Sequence, residues 1–215
     1  MTLVEQLQTI NGLHTLVSVA GAYGLGCLAT GYYLVRARTG QDIRELASGN
    51  VGARNVGRVL GPTGFCLTLV GDFAKGALAI WATRHFTEND LLTLFALLAV
   101  TIGHIWPVQL HFRGGKGVAT SLGALLVWDW RLSLAYVIIF AGLFLVIRRT
   151  TLPGLFAYIG LPFVSYWLNH DPVETFFMAV LCALVLFAHR KNILDELPFS
   201  SARRGVNPEP NKPKL

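Results

Sequence analysis

Long apolar runs dominate the chain, and short segments that hold most of its charged residues separate them. With boundaries accurate to about 2 to 4 residues, the runs cover roughly 10 to 35, 60 to 82, 91 to 110, 118 to 128, 132 to 147, 152 to 168 and 173 to 188. A helix that crosses a bilayer needs about 20 apolar residues. The pattern therefore predicts an all-α polytopic membrane protein with about seven transmembrane helices. The fourth run is short, so counts from five to seven stay open.

Composition supports a membrane environment. Hydrophobic residues make up 53% of the 215 residues and charged residues only 14%, against about 25% charged in average globular proteins. This excludes an ordinary soluble domain, a disordered chain and a collagen. The three cysteines, Cys27, Cys66 and Cys182, lie within apolar runs without metal-ligand spacing. We therefore expect packing cysteines, no metal site and no cofactor.

The positions of the basic residues test the helix count, because Lys and Arg are retained on the cytoplasmic side of a membrane. Of the 18 basic residues, fifteen fall in one set of alternate connections. The opposite set contains only Arg84 and Arg131, and Lys75 lies inside the second apolar run. This distribution predicts seven helices, an external N-terminus and a cytoplasmic C-terminus. It also explains the net charge of +6 without nucleic acid.

The chain divides into one large unit and a tail. Residues 1–197 form a single predicted integral membrane domain, whose first helix is retained because no basic residue precedes Arg36. Residues 198–215 are rich in proline and basic residues. They predict a mobile cytoplasmic tail.

A glycine-rich basic turn opens the fourth apolar run. It reads Arg113-Gly114-Gly115-Lys116-Gly117 and leads into Val118-Ala119-Thr120. Glycines let backbone N–H groups converge on an oxyanion, and a helix N-terminus and a lysine add positive charge. The turn therefore predicts a phosphate site at Gly114, Gly115, Lys116 and Gly117. It lacks the spacing of a Walker A loop, and a plain basic turn that obeys the positive-inside rule is the alternative.

The first cytoplasmic loop concentrates hydrogen-bonding side chains and glycines between Ser48 and Arg58. Ser48, Asn50, Asn55 and Arg58 have side chains suited to phosphate or hydroxyl oxygens, and Gly52 allows close backbone approach. The alternative is a helix-capping loop with Ser48 or Asn50 as N-cap. The two interpretations are compatible with each other.

Polar residues also occur inside or at the ends of apolar runs. Asp72 and Lys75 share a helix face, and uncompensated charges there would cost about 2.5 to 3.5 kcal/mol each, so we expect them to pair or to line a site. His104 precedes Pro107, and we favour a histidine that satisfies backbone groups freed by this proline over a catalytic one. His189 and Asn192 share a face at the end of the last run.

These clusters are predicted to meet at the cytoplasmic membrane face, in one site for a phosphorylated and partly apolar substrate. In these clusters the sequence resembles the bacterial membrane acyl-phosphate:glycerol-3-phosphate acyltransferases, the PlsY family. The blocks that carry the resemblance are Asp42-Ile43-Arg44, Ser48-Gly49-Asn50-x-Gly52-Ala53-x-Asn55-x-x-Arg58, Asp72-x-x-Lys75-Gly76, Gly103-His104-x-x-Pro107, Phe112-x-Gly114-Gly115-Lys116-Gly117-Val118-Ala119-Thr120 and His189-x-x-Asn192-Ile193. In order and spacing they cover most of the chain.

The resemblance implies a seven-helix enzyme of the bacterial inner membrane, which carries out the first acylation step of phospholipid synthesis. Its substrates would be acyl phosphate and glycerol 3-phosphate, and its products lysophosphatidate and phosphate, with membrane lipid beside the site. Acyl-CoA and acyl carrier protein would not be donors. The implied catalytic residues are His189, Asn192, Ser48, Arg58 and Lys116. Phosphate binding falls to Asn50, Gly52, Asn55, Gly114, Gly115, Lys116 and Gly117, with Asp72, Lys75 and His104 in support.

The chain departs from the family pattern in several places. Gly26-Cys27-Leu28-Ala29 replaces the usual Gly-Ser-Ile-Pro, Ala47 replaces a glycine, and Arg54 stands where threonine is common. Asp195 stands where a basic residue is expected, and the Gly-x-Glu that should follow is absent near Phe199 and Ser201. In the family this carboxylate helps to hold the C-terminal motif, so its absence affects how that part of the site is supported.

Either His189 or a substrate phosphate can serve as the base for the glycerol hydroxyl. The sequence has no nucleophile elbow, so a covalent acyl-enzyme is not favoured. Two other functions stay open at this point. One is a transporter for an organic phosphate or similar anion, for which the intramembrane Asp72 and Lys75, the basic loops and broken helices would also serve. The other is an inactive scaffold related to the enzyme.

Overall fold

The computed structural model describes residues 12–196, which are helical with no β-strand in that range. The helices are α1 (Gly12–Cys27), α2 (Thr30–Thr39), α3 (Ala53–Phe86), α4 (Asp90–Ile105), α5 (Val118–Trp128), α6 (Trp130–Ile147), α7 (Thr151–Asn169), α8 (Pro172–Ala188) and α9 (Arg190–Glu196). Short 3₁₀ turns lie at Ile43–Glu45 and Val108–Leu110. Every predicted apolar run contains a helix. The predicted tail, 198–215, lies outside the described residues, as do the side chains of Asp195 and Glu196.

Within residues 12–196, five helical segments are long and apolar enough to cross a bilayer. They are Gly12–Thr39, Ala53–Phe86, Asp90–Leu110, Trp130–Ile147 and Thr151–Asn169. Helices α5 and α8 are apolar but shorter. The all-α, multi-pass membrane architecture is therefore confirmed. The number of seven crossings and the orientation of the termini stay predictions.

Two helix boundaries differ from the predicted ones. The first apolar run divides at Leu28 and Ala29 into α1 and α2. The second helix begins at Ala53 instead of near residue 60, because its first turns are made of the polar residues assigned to a loop. A kink at Gly61, with φ +72°, and Pro62 separates this polar part from the apolar remainder of α3. Gly52 is the N-cap, so the alternative interpretation, with Ser48 or Asn50 as N-cap, does not hold.

Side chains from distant helices satisfy the carbonyl groups that the breaks expose. Lys75 Nζ donates to the carbonyl oxygen of Leu28 at 2.6 Å. Gln109 Nε2 donates to the carbonyl oxygen of Cys27, and the Tyr23 hydroxyl donates to that of Trp106 at 2.9 Å. A backbone carbonyl that is left unpaired in apolar surroundings costs several kcal/mol. These bonds fix α1, α3 and α4 relative to one another.

A separate polar cluster closes the end of the bundle where α5, α7 and α8 meet their short connections. Asp129 caps α6 through the Arg131 N–H, pairs with the Arg131 guanidinium at 2.7 Å and accepts from Asn169. Burial opposes ionisation of Asp129, but these hydrogen bonds hold its pKa below the ordinary value. Asn169 and Ser165 also donate to the buried Glu174. The charged groups at this end therefore satisfy one another.

Glycines allow the backbones of α3 and α5 to approach closely. A Cβ at Gly76 would overlap the carbonyl oxygen of Thr120, and a Cβ at Gly123 would overlap that of Phe73. Small residues at helix interfaces are the usual means of close packing in membranes. This packing holds the N-terminus of α5 beside α3.

We expect Gly76→Ala to destabilise the protein by about 1 to 3 kcal/mol, because the added methyl has no space against α5. Gly142→Ala is the matched control, since nothing lies within 4 Å of a Cβ at that position. Thermal unfolding in detergent measures both variants. Equal melting temperatures for the two variants would contradict the packing described here.

Candidate active site

A cleft of about 1140 Å³ opens at the end of the bundle where α3, α5 and α7 begin and α8 ends. It brings together residues from all three predicted polar clusters. The predicted residues that line it are Ser48, Asn50, Gly52, Asn55, Arg58, Asp72, His104, Lys116, Gly117, His189 and Asn192. Gly114, Gly115 and Lys75 are not among the lining residues of the cleft.

The cleft has a cationic end and an apolar wall. Its basic lining residues are Arg44, Arg54, Arg58, Arg113, Lys116 and Lys191, against the two acidic residues Glu45 and Asp72. The apolar wall contains Phe65 and Leu69 of α3, Tyr136 and Phe140 of α6, and Leu155 and Tyr158 of α7. A ligand that suits this cleft carries negative charge at one end and hydrocarbon at the other.

The N-termini of α3 and α5 reach this cleft, as does that of α7. Helix α3 begins after Gly52, and α5 begins after Gly117, whose φ of +84° is the left-handed conformation that favours glycine. The first N–H groups of a helix have no acceptor within it and carry about half a positive charge. Lys116 Nζ, beside the start of α5, donates to the Asn192 side-chain oxygen. The C-terminal segment is thereby tied to the α5 turn.

Asn55 has a different function from the one predicted. Its side chain is 2% exposed, its Oδ1 accepts from the Ser48 N–H at 2.9 Å, and its Nδ2 donates to the carbonyl oxygen of Leu46 at 3.1 Å. Both amide atoms are thus used within the loop. Asn55 therefore shapes the loop that presents Ser48, and a direct bond to phosphate is not supported.

The Gly52 N–H is also used locally, since it donates to Asn50 Oδ1 at 2.7 Å. Gly52 nevertheless permits the close turn into α3, because a Cβ there would lie 2.8 Å from the same oxygen. Asn50 retains its Nδ2, for which no acceptor occurs among the described residues. Of this pair, only Asn50 offers a side-chain donor to a ligand.

The prediction that the N–H groups of Gly114 and Gly115 bind phosphate was wrong. The Gly114 N–H donates to the carbonyl oxygen of Ile105 at 3.1 Å, and the Gly115 N–H donates to that of His104 at 3.0 Å. The turn thus folds back on the C-terminal end of α4 and satisfies carbonyls left without helical partners. The effect is to aim Lys116 and Gly117 at the cleft.

The Asp72–Lys75 pair lies within the bundle, as expected, with Lys75 Nζ 3.0 Å from Asp72 Oδ1. The two side chains are 3% and 5% exposed. Asp72 Oδ1 has no hydrogen-bond partner among the described residues, and Lys75 Nζ also lies 2.9 Å from His104 Nδ1. The pair is therefore accounted for by mutual compensation and by the Leu28 carbonyl.

The expected role of His104 in satisfying backbone groups near Pro107 was wrong. The Gly114 and Gly115 N–H groups and the Tyr23 hydroxyl serve the carbonyls at this helix end. The His104 ring contacts Lys75 instead and reaches the cleft wall.

His189 is the C-cap of α8 and is 9% exposed. Its Nδ1 lies 2.8 Å from the carbonyl oxygen of Val185, which can only accept, so Nδ1 carries a proton. Nε2 is then the basic nitrogen of a neutral ring. Burial, together with the nearby charges of Lys116 and Arg54, lowers the pKa of His189 from 6.5 to about 4.

Arg44 is a structural residue that sequence reasoning noted without a role. It forms a bidentate contact with Asp42, with Nη2 to Oδ2 at 2.6 Å, and Nη1 donates to the carbonyl oxygen of Leu110 at 2.8 Å. The Arg44 hydrogen bonds hold the pKa of Asp42 below its ordinary value. The short spacing of Asp42 and Arg44 was the available signal. The apolar wall of α6 and α7 had no signal beyond general hydrophobicity.

The comparisons with known proteins agree with this geometry. The sequence model of the glycerol-3-phosphate acyltransferase family matches residues 16–197. A glycerol-3-phosphate acyltransferase of Desulfitobacterium hafniense is 45% identical over 193 residues, which cover 90% of this chain and 96% of that protein. One from Bacillus cereus is 36% identical over 182 residues, covering 85% of this chain and 97% of that protein.

A solved structure extends the similarity to three dimensions. The crystal structure of PlsY, an integral membrane glycerol 3-phosphate acyltransferase, in its glycerol 3-phosphate form superimposes with a TM-score of 0.79. The two chains are 33% identical, and the alignment covers 88% of this chain and 93% of PlsY. From its helical membrane architecture, its sequence and its fold, the chain belongs to the glycerol-3-phosphate acyltransferase family.

Proposed function

We propose that this protein transfers a fatty acyl group from acyl phosphate to the 1-hydroxyl of glycerol 3-phosphate, and so releases lysophosphatidate and phosphate. The observation that carries the proposal is the cleft itself. The N-termini of α3 and α5, with Arg58 and Lys116, line it together with the aromatic and aliphatic wall of α3, α6 and α7. Acyl-CoA and acyl carrier protein are not donors in this proposal.

Both proposed substrates carry phosphate, so the site must first bring two anions together. The α3 N-terminus with Arg58 and the α5 N-terminus with Lys116 offer two separate centres of positive charge. Donors that are already in place stabilise charge without reorganisation, and this is often the largest contribution to catalysis. In this arrangement Ser48 and Asn50 orient the glycerol phosphate, and Asn192 positions Lys116.

An acyl phosphate is already activated, and its leaving group is a stable anion. The remaining demand is to remove a proton from the attacking hydroxyl. His189 suits this role because its Nδ1–H is fixed by Val185, which leaves Nε2 as the acceptor in the cleft. The hydroxyl oxygen attacks the acyl carbon, the bond from that carbon to the phosphate oxygen breaks, and Nε2 takes the proton.

The proposed location is the inner membrane of a bacterium, with seven crossings and the cleft on the cytoplasmic side. The support for this is the distribution of basic residues, since Arg54, Arg58, Arg113, Lys116 and Lys191 all lie at the cleft end. In this arrangement both glycerol 3-phosphate and acyl phosphate reach the site without crossing the membrane.

The transporter alternative rested on Asp72 and Lys75 inside the bundle, together with basic loops and broken helices. Those charges compensate each other and support the α1–α2 break, so they do not require a transported ion. The acyltransferase is the function that the cleft supports best.

The defining experiment supplies palmitoyl phosphate and glycerol 3-phosphate to the purified protein in lipid, without metal or CoA. We expect equal amounts of phosphate and lysophosphatidate to form. Phosphate release without lysophosphatidate would indicate simple hydrolysis and contradict the proposal. Turnover that requires acyl-CoA would contradict the proposed donor.

We expect Arg58→Met and Lys116→Met each to lower the rate by about 10²- to 10³-fold, the usual cost of removing one charge-stabilising donor. Arg38→Met is the matched control, because Arg38 is an exposed basic residue that does not line the cleft. Rates at equal amounts of folded protein measure the effect. Loss of activity in the control to the same degree would remove the special role of Arg58 and Lys116.

The low pKa of His189 predicts an unusual pH dependence. A ring whose pKa is about 4 stays neutral as the pH falls through 6.5, and it loses its basic form only near pH 4. The ratio of the wild-type rate to the His189→Asn rate should therefore stay constant from pH 8 to about 5.5. Asparagine keeps a donor for Val185 but lacks Nε2, and titration of the substrate phosphate cancels in the ratio.

A ratio that falls around pH 6.5 would show an ordinary histidine pKa and contradict the description of the buried ring. A ratio near one at every pH would assign the base to a substrate phosphate and leave His189 as a structural cap.

A further inference from the structure

His104 reaches the cleft through a buried and rigid environment. Its side chain is only 4% exposed, and it lines the cleft together with Asp72. Nδ1 lies 2.9 Å from Lys75 Nζ. No hydrogen-bond partner of Nε2 occurs among the described residues. A buried ring with one nitrogen engaged and the other without a protein partner at a cleft wall points to a ligand.

The contact with Lys75 fixes which ring nitrogen carries the proton. An ammonium group has three donors and no acceptor, so His104 Nδ1 must accept from Lys75 Nζ. Nδ1 is therefore unprotonated, and the proton of the neutral ring is on Nε2. Lys75 is itself held by the Leu28 carbonyl at 2.6 Å and by Asp72 at 3.0 Å.

Gly115 sets the position of this nitrogen relative to the basic turn. A Cβ at Gly115 would overlap His104 Nε2, so the ring occupies the space that a side chain would need. The Gly115 N–H is bonded to the His104 carbonyl at 3.0 Å. Nε2 is thus held against the backbone immediately before Lys116, on the side of the cleft where α5 begins.

We propose that His104 is a further substrate-binding residue, whose Nε2–H donates to a phosphate oxygen held at the Lys116 turn. This inference rests on the proposed acyl-phosphate function for its biological ligand. Lys75 and Asp72 act as positioning residues, because they fix the ring and its tautomer. The N–H groups of Gly114 and Gly115 are used by the α4 carbonyls, and His104 supplies a donor to the phosphate in their place.

The two histidines of the cleft then have opposite roles that follow from their neighbours. A carbonyl oxygen faces His189 Nδ1, so Nε2 of that ring accepts a proton. An ammonium faces His104 Nδ1, so Nε2 of that ring donates. One ring serves the attacking hydroxyl and the other serves an anion. His104 cannot act as the base while Lys75 occupies Nδ1.

The direct test is nitrogen NMR of the full-length wild-type protein in lipid nanodiscs, labelled with ¹⁵N-histidine and assigned by comparison with His104→Gln. We expect Nε2 of His104 to be protonated and Nδ1 to be unprotonated. Titration with inorganic phosphate or with glycerol 3-phosphate, in separate samples, should shift the Nε2 resonance. A response to inorganic phosphate alone places the acyl-phosphate end at His104, and a response to glycerol 3-phosphate alone places the acceptor there.

Two substitutions separate donation to the ligand from support of Lys75. His104→Asn keeps an oxygen near the Nδ1 position for Lys75 but lacks the reach of Nε2. His104→Gln keeps a donor near the Nε2 position but loses the acceptor for Lys75. We expect His104→Asn to raise the KM of the affected substrate about tenfold or more, as loss of a charge-assisted bond does, with melting near wild type.

We expect His104→Gln to show the reverse, with a KM within about threefold of wild type and a lower melting temperature, because Lys75 loses an acceptor. If His104 only supports Lys75, His104→Gln should instead be less active than His104→Asn. That order, or an Nε2 resonance that responds to neither phosphate compound, would overturn the inference.

The phosphate titration does not depend on turnover. Protein that shows the Nε2 response without acyl transfer would refute the proposed function and retain the anion site. Protein that transfers acyl groups without the response would refute the anion site alone.

Discussion

Backbone carbonyl groups exposed where helices break are the constraint on which this structure depends. In apolar surroundings such groups must be satisfied by the protein. The break after α1 is served by Lys75 and Gln109, and the end of α4 is served by Tyr23 and by the N–H groups of Gly114 and Gly115. The same bonds fix the parts of the chain that surround the cleft. The hydrogen bond to the Leu28 carbonyl thereby explains the charge of Lys75 inside the bundle without a catalytic role.

The chemistry of the cleft follows from this arrangement. Because Gly114 and Gly115 fold back on α4, Lys116 and the start of α5 line the same cleft as the N-terminus of α3. The electropositive N-termini of α3 and α5 then line the same cleft as the apolar wall contributed by α3, α6 and α7. This combination suits a reaction between two phosphorylated molecules, one of which carries a hydrocarbon chain. Tertiary contacts also assign the ring tautomers, which leave a proton on Nε2 of His104 and none on Nε2 of His189.

The sequence was sufficient to predict the helical membrane class and the grouping of the polar clusters, because apolar periodicity and charge distribution are local properties. It also identified Lys116, His189 and Asn192, which meet in the cleft. The hydrogen-bond partners could not be predicted from the sequence. Gly114 and Gly115 have the composition of a phosphate loop, yet residues nine and eleven positions earlier accept their N–H groups.

Long-range packing likewise decides the roles of Asn55 and His104. Asn55 has a suitable side chain for phosphate, but the backbone around Ser48 and Leu46 uses both of its amide atoms. The nearness of Pro107 in sequence predicts a helix-end role for His104, whereas Lys75 lies next to the ring in space. The apolar run from 10 to 35 predicts no break at Leu28. The break depends on Lys75 of another helix, which bonds to the Leu28 carbonyl.

A structure of the protein bound to glycerol 3-phosphate and a hydrolysis-resistant acyl phosphonate would test the central claim most directly. The account predicts two separate phosphorus positions, one at the N-terminus of α3 with Arg58 and one at the turn of Lys116. It also predicts an acyl chain against Phe65, Tyr136 and Phe140. A single anion position, or an acyl chain that leaves the cleft on another side, would contradict it.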